Sequence, residues 1–279
     1  MVDNEGSALV SVVITTKNRA SLLPRAVRSV LDQTYPHLEL IVVDDGSDVP
    51  VVLPDGDPRA RLIRNEVSKG VSESRNAGFR ASRGQLLCML DDDDWYLSGK
   101  LEQQANYLRE HAEVDLVFSR VCIEDETGAR REFLPVDHVH SPEINLFAFN
   151  VIHPSSALFR RKVFDRVQFD PRLRKYEDML FFNRVCFTFQ TAFLSADVAI
   201  WMQDGRPDQL SRVDYAKNLS NFRIVCQELG DVLKSNPAAR RRYFGRLAVQ
   251  AVRCRRIVEA MGAAAAALGI VPGIRGTRK

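Results

Sequence analysis

Residues 10–19, VSVVITTKNR, and residues 38–48, LELIVVDDGSD, decide the fold when read together with the stretch between them. Leu9–Thr16 is a β-branched apolar run without polar alternation, the pattern of a strand buried on both faces. Ser21 is placed to cap the helix that follows, and Pro24 falls in its first turn. Leu23, Val27, Val30 and Leu31 then recur at helical spacing as far as Gln33. A second buried strand, Leu38–Val43, runs straight into Asp44-Asp45-Gly46-Ser47. Strand, helix and strand with short connections make a βαβ unit, whose crossover is right-handed in nearly every sheet.

Working outward, Arg61–Asn65 reads as a third strand, Val71–Ala81 as a helix, Gln85–Leu90 as a fourth strand and Ser98–Glu110 as a helix. The acidic run Asp91-Asp92-Asp93-Asp94 stands where the fourth strand stops. Such alternation predicts an α/β fold: an open, mostly parallel sheet with helices on both faces. The pattern changes after Asp115–Ser119. Cys122–Phe133 holds a Glu126-Thr127-Gly128 turn and predicts a small antiparallel region. Ser155–Phe159 reads as a strand, and Tyr176–Phe187 as a helix with an aromatic apolar face. From Asp214 the chain predicts two helices split near Asn236-Pro237. One domain over residues 1–212, followed by a helical extension over 213–279, fits this pattern best.

Hydrophobic residues make up 45% and charged residues 27% of the 279, ordinary for a globular chain with a sizeable core. There is no apolar run of eighteen residues and no basic start of the kind a signal peptide needs. The five cysteines are scattered without CxxC spacing, which predicts reduced thiols in a cytoplasmic setting and no zinc or disulfide framework. Net charge is +3 but uneven: residues 213–279 hold thirteen Lys and Arg against four Asp and Glu, a local +9, so the rest carries −6. A basic extension fits a solvated helix face, or a surface that meets something anionic.

In open α/β sheets ligands bind beyond the carboxyl ends of the strands. Three polar clusters fall there: Thr15-Thr16-Lys17-Asn18-Arg19, Asp44-Asp45-Gly46-Ser47 and Asp91–Asp94. Four adjacent carboxylates repel one another, and a fold keeps them together mainly where a cation or hydrogen bonds offset that repulsion. Mg²⁺ and Mn²⁺ take oxygen ligands, and Mg²⁺ binds through one or two carboxylates plus substrate phosphates. Taken alone, the acidic run also fits an exposed turn that caps the next helix. Together with the other two clusters it predicts a metal-bridged diphosphate.

The succession VSVVITTKNR, LELIVVDDGSD and, at residues 70–95, GVSESRNAGFRASRGQLLCMLDDDDW resembles the N-terminal half of family 2 glycosyltransferases with the GT-A fold. HPSSALFRRKVFDRVQFDPRLRKYEDMLFFNRV, residues 153–185, is similar to that family's acceptor half. The resemblance runs from about residue 9 to about 212. It implies a Rossmann-like nucleotide-sugar-binding half over about 8–119, an acceptor-binding half over about 120–212, and inverting transfer of a sugar from a nucleoside diphosphate, UDP-sugars favoured, to a carbohydrate or glycolipid hydroxyl. It places Thr15, Thr16, Asn18 and Arg19 along the nucleotide, Asp45 at the base, and Lys69 and Arg75 near the base or the phosphates. Asp91 and Asp92 fall in the family's DxD region with Asp92 toward the ribose, Asp93 becomes the ligand of Mn²⁺ or Mg²⁺, and Arg206 or Arg212 a phosphate partner. Asp94 is expected to cap the helix after Ser98 or to orient Asp93, and Trp95 to pack under the site or in the core. Glu177-Asp178 matches the family's "ED" pair, with Asp178 as the base and Glu177 in support. Away from the motif, the same two acids simply favour a helix N-terminus. His153 reads as a substrate contact or as a buried structural histidine. Many relatives carry a histidine where this chain has Gln203 and Asp204, which leaves the second protein ligand of the metal open.

Several other classes drop out. A dinucleotide oxidoreductase would carry GxGxxG after the first strand, where this chain reads Thr-Thr-Lys-Asn-Arg. A nucleotidyltransferase would carry a glycine-rich loop there, and no P-loop GxxxxGK[ST] occurs. A polysaccharide synthase normally brings membrane spans. A catalytically inactive nucleotide-sugar-binding module is the remaining alternative. For the basic extension the expected partners are anionic lipid at the inner face of the membrane, in glycoconjugate assembly, or a second copy of the chain in a homodimer; no nucleic acid is expected.

Overall fold

The computed structural model describes residues 8–53, 56–133, 151–203 and 215–269. Four parallel strands form its first half: β1 (Val10–Thr16), β2 (Leu38–Asp44), β3 (Ala60–Arg64) and β4 (Leu86–Asp91). They are interleaved with α1 (Leu23–Leu31) and α2 (Val71–Ala81). The side-chain period of two sends alternate residues to opposite faces. Val10, Val12 and Ile14 of β1 join Leu38, Leu40 and Val42 of β2 in a core packed by Ala26, Val27 and Val30 of α1. Val13, Ile41, Val43, Leu87 and Met89 face the other way, against Phe79 of α2. Both faces are therefore covered, as the unbroken apolar runs require. Gly78 of α2 lies so close to β1 that a Cβ would come within 2.5 Å of Val13 Cγ1.

The remaining strands are β5 (Trp95–Tyr96), β6 (Leu116–Asp125), β7 (Arg130–Phe133), β8 (Leu158–Arg160) and β9 (Thr191–Gln203). The sheet order is β3-β2-β1-β4-β8-β6-β9-β5, with β7 on β6. β8 is antiparallel to both β4 and β6, and β6 runs parallel to β9. The β6–β7 hairpin turns at Glu126-Thr127-Gly128 as expected, with Gly128 at a φ of 81°. The chain runs from β1 outward to β3, then returns to place β4 on the other side of β1. The crevice between the carboxyl ends of β1 and β4 is thus a topological switch point, where open sheets bind ligands.

The helices α3 (Lys100–Glu110), α4 (Arg161–Arg166) and α5 (Glu177–Thr188) flank this sheet. Beyond residue 214 come α6 (Tyr215–Glu228), α7 (Gly230–Ser235), α8 (Pro237–Arg253) and α9 (Ile257–Ala267), four helices where two were expected. The expected break at Asn236-Pro237 is present: the Asn236 side chain accepts the N–H of Ala239 at 3.0 Å, and Pro237 opens α8. Two expected caps are absent. Leu22, not Ser21, is the residue before α1, and no side chain caps that helix; Pro24 alone favours its start. α3 begins at Lys100 behind Gly99, two residues later than expected and uncapped by Asp94. β9, thirteen residues long, went unrecognised because its polar and apolar residues do not alternate cleanly.

Candidate active site

At the switch point Thr15 of β1 stands opposite Asp91 of β4, and Thr16 opposite Asp44 of β2. Thr16 Oγ1 donates to Asp92 at 2.6 Å, while Arg19 Nη1 reaches Asp92 at 3.1 Å and Asp93 at 3.3 Å. Asn18 adopts a φ of 56°, a left-handed conformation that asparagine tolerates better than most residues. Its N–H donates to Ser47 Oγ, and its side-chain amide exchanges hydrogen bonds with Asp48, clasping the ends of β1 and β2. Asp45 accepts from Asn65 Nδ2, Ser68 Oγ and the N–H groups of Lys69 and Gly70, all within 2.9 Å, and so shapes the loop before α2. Gly46 is required beneath that loop: its φ is 69°, and a Cβ there would sit 2.8 Å from the Ser68 nitrogen.

The acidic run splits into separate tasks. Burial pushes the Asp92 carboxyl up to about 6, against the opposing pull of Thr16 and Arg19. Burial opposes ionisation of Asp91 too, but Arg75, His153 and Arg19 outweigh it and hold Asp91 below the ordinary carboxylate value. Asp94 points away from these two. It accepts from Ser155 Oγ at 2.9 Å and from the Met202 N–H at 3.1 Å, tying the end of β4 to β9. Asp94 therefore does not cap α3, because residues 61 and 108 positions distant take up its oxygens. Burial and the neighbouring Asp91 and Asp93 charges hold its carboxyl well above the ordinary range.

Facing this sheet wall is a helix wall that begins at α5. Arg75, 3% exposed, spans the two: Nη2 donates to Asp91 at 2.7 Å and Nη1 to Glu177 at 2.9 Å. Asp178 follows, accepting the Met179 N–H at 2.7 Å. Burial, then the Asp178 charge, pushes the Glu177 carboxyl up to about 7 even though Arg75 acts against it. Asp178 is raised as well, through burial. The two walls enclose a cavity of about 600 Å³. Phe133, His153 and Trp201 form an aromatic side to it, with His153 4.9 Å from Trp201 and Phe133 edge-on to both rings. His153 Nδ1 accepts the Ser155 N–H, and burial lowers its pKa to about 4, so the ring is neutral.

Residues 11–168 match the sequence model of glycosyl transferase family 2. The chain belongs to that family. It is similar to an uncharacterized glycosyltransferase of Methanocaldococcus jannaschii, 28% identical over 236 residues that cover 80% of this chain and 81% of that one. The Escherichia coli UDP-Glc:alpha-D-GlcNAc-diphosphoundecaprenol beta-1,3-glucosyltransferase WfgD is 35% identical over 103 residues, 36% of this chain and 41% of that protein. A putative teichuronic acid biosynthesis glycosyltransferase of Bacillus subtilis is 31% identical over 144 residues, 48% of this chain and 54% of that protein. The structure of S. aureus TarS 1-349 in complex with UDP-GlcNAc superimposes with a TM-score of 0.65 at 15% identity, covering 92% of this chain and 90% of that chain. That likeness establishes the GT-A fold.

In this family 2 glycosyltransferase the cavity gathers most of the residues expected from sequence. Thr15, Thr16, Asn18, Arg19, Asp45 and Arg75 line it, as do Asp91, Asp92, Asp93, Glu177 and Asp178. Lys69 does not join the wall: it is exposed, and only its N–H enters the site, through Asp45. Arg206 and Arg212, the expected phosphate partners, lie outside the described residues. Trp95 carries the Arg25 guanidinium 3.7 Å above its ring, and Arg25 in turn donates to the Asp93 carbonyl at 3.0 Å. Trp95 thus braces the acidic turn from outside the cavity. Sequence reasoning missed Arg174, Lys175 and Phe133, all on the cavity wall. The first two directly precede Tyr176 and the Glu177-Asp178 pair, a basic-acidic succession that was a usable signal. Phe133 comes from the hairpin end and had none.

Proposed function

We propose that this chain is an inverting glycosyltransferase that moves a sugar from a nucleoside diphosphate, UDP favoured, to a hydroxyl of a carbohydrate or glycolipid acceptor in polysaccharide or glycoconjugate assembly. The observation that carries the proposal is the facing of two walls across one cavity. Strand-end residues suited to a nucleotide lie on one side, Glu177-Asp178 on the other, and Arg75 joins them. Asp178 takes the proton of the acceptor hydroxyl as its oxygen bonds to the anomeric carbon. The bond from that carbon to the diphosphate oxygen breaks on the opposite face, and the nucleoside diphosphate departs. Glu177, held by Arg75, keeps the pair oriented. Arg19 and Arg75 each donate to carboxylates of the sheet wall.

The wall chemistry fits a divalent cation. Six carboxylates line the cavity against five Lys and Arg, so a diphosphate entering unaccompanied would meet no net positive wall. Among the described residues, no three His, Cys, Asp or Glu are grouped to cage an ion. A cation shared between one carboxylate and the substrate phosphates is the arrangement Mg²⁺ commonly adopts. Asp93 is the residue that would hold Mn²⁺ or Mg²⁺; when bound, the ion offsets charge on the departing diphosphate.

Hydrolysis of a nucleotide-sugar panel, with Mn²⁺ and after chelation, tests this reading. The expected outcome is turnover of a UDP-sugar that chelation abolishes and Mn²⁺ restores. Tight binding without turnover, with or without acceptor, would make the chain a binding module instead. We also propose that the extension meets anionic lipid, since Arg241, Arg242, Arg253, Arg255 and Arg256 are exposed beside exposed Val249 and Val252. No helix among the described residues is long and apolar enough to cross a membrane. Replacing Arg241 and Arg242 by Glu should weaken sedimentation with anionic vesicles; equal sedimentation would refute that contact.

A further inference from the structure

Tyr176 is the residue before α5 and takes a left-handed conformation, φ 64° and ψ 15°. A bulky side chain in that region is strained and persists only where its surroundings fix it. Here the surroundings come from the helical extension. Phe222 of α6 meets the Tyr176 ring edge to face, with centroids 5.4 Å apart. The Arg246 guanidinium of α8 lies 5.7 Å from the Tyr176 ring and 5.4 Å from that of Phe222, a cation–π arrangement with both. Phe222 stacks on Tyr243 at 5.6 Å, and Tyr243 Oη accepts from Asn183 Nδ2 at 3.4 Å. Asn183 lies on α5 itself, so the contacts leave α5 at Tyr176, pass through α6 and α8, and return to α5 two turns later. Leu173, Met179 and Leu180 share one apolar cluster with the buried residues of the extension.

We infer that the extension is part of the catalytic apparatus: through Phe222 and Arg246 it clamps Tyr176 in its left-handed turn, and that turn aims Glu177 and Asp178 into the cavity. Tyr176, Phe222 and Arg246 are positioning residues in this scheme. The reason is geometric. The Tyr176 carbonyl accepts the first helical hydrogen bond, from Leu180 at 3.1 Å, so its backbone sets the direction in which α5 departs. The two carboxylates follow immediately. Thr16, Asp45 and Arg19 hold the rest of the sheet wall without these contacts, and Arg75 at Asp91 is its link to Glu177. Loosening the clamp should therefore misplace the base without disturbing the nucleotide side. A misplacement of about 1 Å at a reacting group is enough to cost about 10²-fold in rate.

This inference rests on the assignment of Asp178 as the base, and the test separates the two. Tyr176→Leu, Phe222→Leu and Arg246→Met are assayed for donor affinity, kcat and melting temperature, alongside Asp178→Asn. The expected result is a kcat loss of tenfold or more in Tyr176→Leu, a smaller loss in the other two, and donor affinity within twofold of the parent. Tyr176→Phe and Arg246→Lys, which keep the ring and the cation, should recover the lost kcat. Parental kcat in Tyr176→Leu and Phe222→Leu, with Asp178→Asn inactive, overturns the clamp and leaves the base in place. Full turnover in Asp178→Asn removes the base assignment. A tenfold kcat loss in Tyr176→Leu would then still support the clamp, acting on Glu177, and an unchanged kcat would overturn it. Should Phe222→Leu fail to fold, the exposed Arg246 gives the same reading without touching the core.

Discussion

On the sheet wall most polar residues stand at or within a few positions of a strand end, and most of their partners come from the neighbouring strand ends and connecting loops. Thr16, Asn18, Asp45 and Asp92 are fixed by β1, β2, β4 and the loops between them, within the first ninety-odd residues. The helix wall is made differently. Glu177 and Asp178 follow a strained tyrosine, lean on Arg75 about a hundred positions back, and are braced from helices forty and more positions ahead. A wall built on parallel strands is preorganised by the sheet ladder, whereas one built on a helix end depends on whatever packs around that end. The contrast predicts that remote changes will reach the chemistry through the helix wall and spare nucleotide binding.

The sharpest break of that contrast is Asp178→Asn. Loss of general-base help should lower kcat by about 10²–10⁴-fold while donor affinity, measured by calorimetry, holds. Equal losses of both would mean that the two walls are not separable. Next comes Arg75→Met, which strips the guanidinium that joins the walls and strands two buried carboxylates. About 3 kcal/mol of stability should vanish in urea unfolding, together with turnover. A melt unchanged from the parent would show that Asp91 and Glu177 find other partners.

Acid dependence gives Asp45 of the sheet wall and Glu177 of the helix wall opposite signs. Four hydrogen-bond donors hold Asp45 below the ordinary value of 3.8 despite burial, so its stabilisation is complete above that pH and is lost as pH falls further. Burial raises Glu177 from 4.5 to about 7, so the folded state grips its proton more tightly. Stability should therefore decline as pH rises from about 4.5 to about 7, and then level off. Unfolding measured from pH 3 to 8 should show Asp45→Asn flattening the acid end and Glu177→Gln flattening the neutral range. If one substitution flattened both ends, the two carboxylates would belong to a single coupled network. The smallest effect is expected of Ser21→Ala. Since Ser21 caps nothing, stability should stay within about 0.5 kcal/mol, and a loss of about 1 kcal/mol would restore it as a cap.

Legibility follows the same division. β1, β2 and α1 were readable because both faces of the strands are buried and the helix repeats its apolar residues, so local pattern and tertiary environment agree. Ser21 and Asp94 misled because a plausible local partner exists for each, while the folded chain satisfies Asp94 across the sheet with Ser155 and Met202. β9 was missed for a different reason. Its register against β6 shifts at Ser119–Val121, and that irregularity leaves no periodic trace in the sequence. The helical extension was legible as basic and helical, but its grip on Tyr176 was not.

By itself, the sequence determined the parallel α/β half, the three clusters at its strand ends and the family to which the chain belongs. The first two rest on short-range order, since apolar runs, helical spacing and turn residues act within about a dozen positions. The family rests instead on the succession of motifs along residues 11–168. Only the tertiary structure decided that Arg75 would join Asp91 to Glu177, that the four aspartates would divide their tasks, and that Tyr176 would be held by α6 and α8. Those outcomes depend on which distant groups meet in a buried place, where a charge or a strained turn is kept only if partners from elsewhere in the chain arrive to offset it.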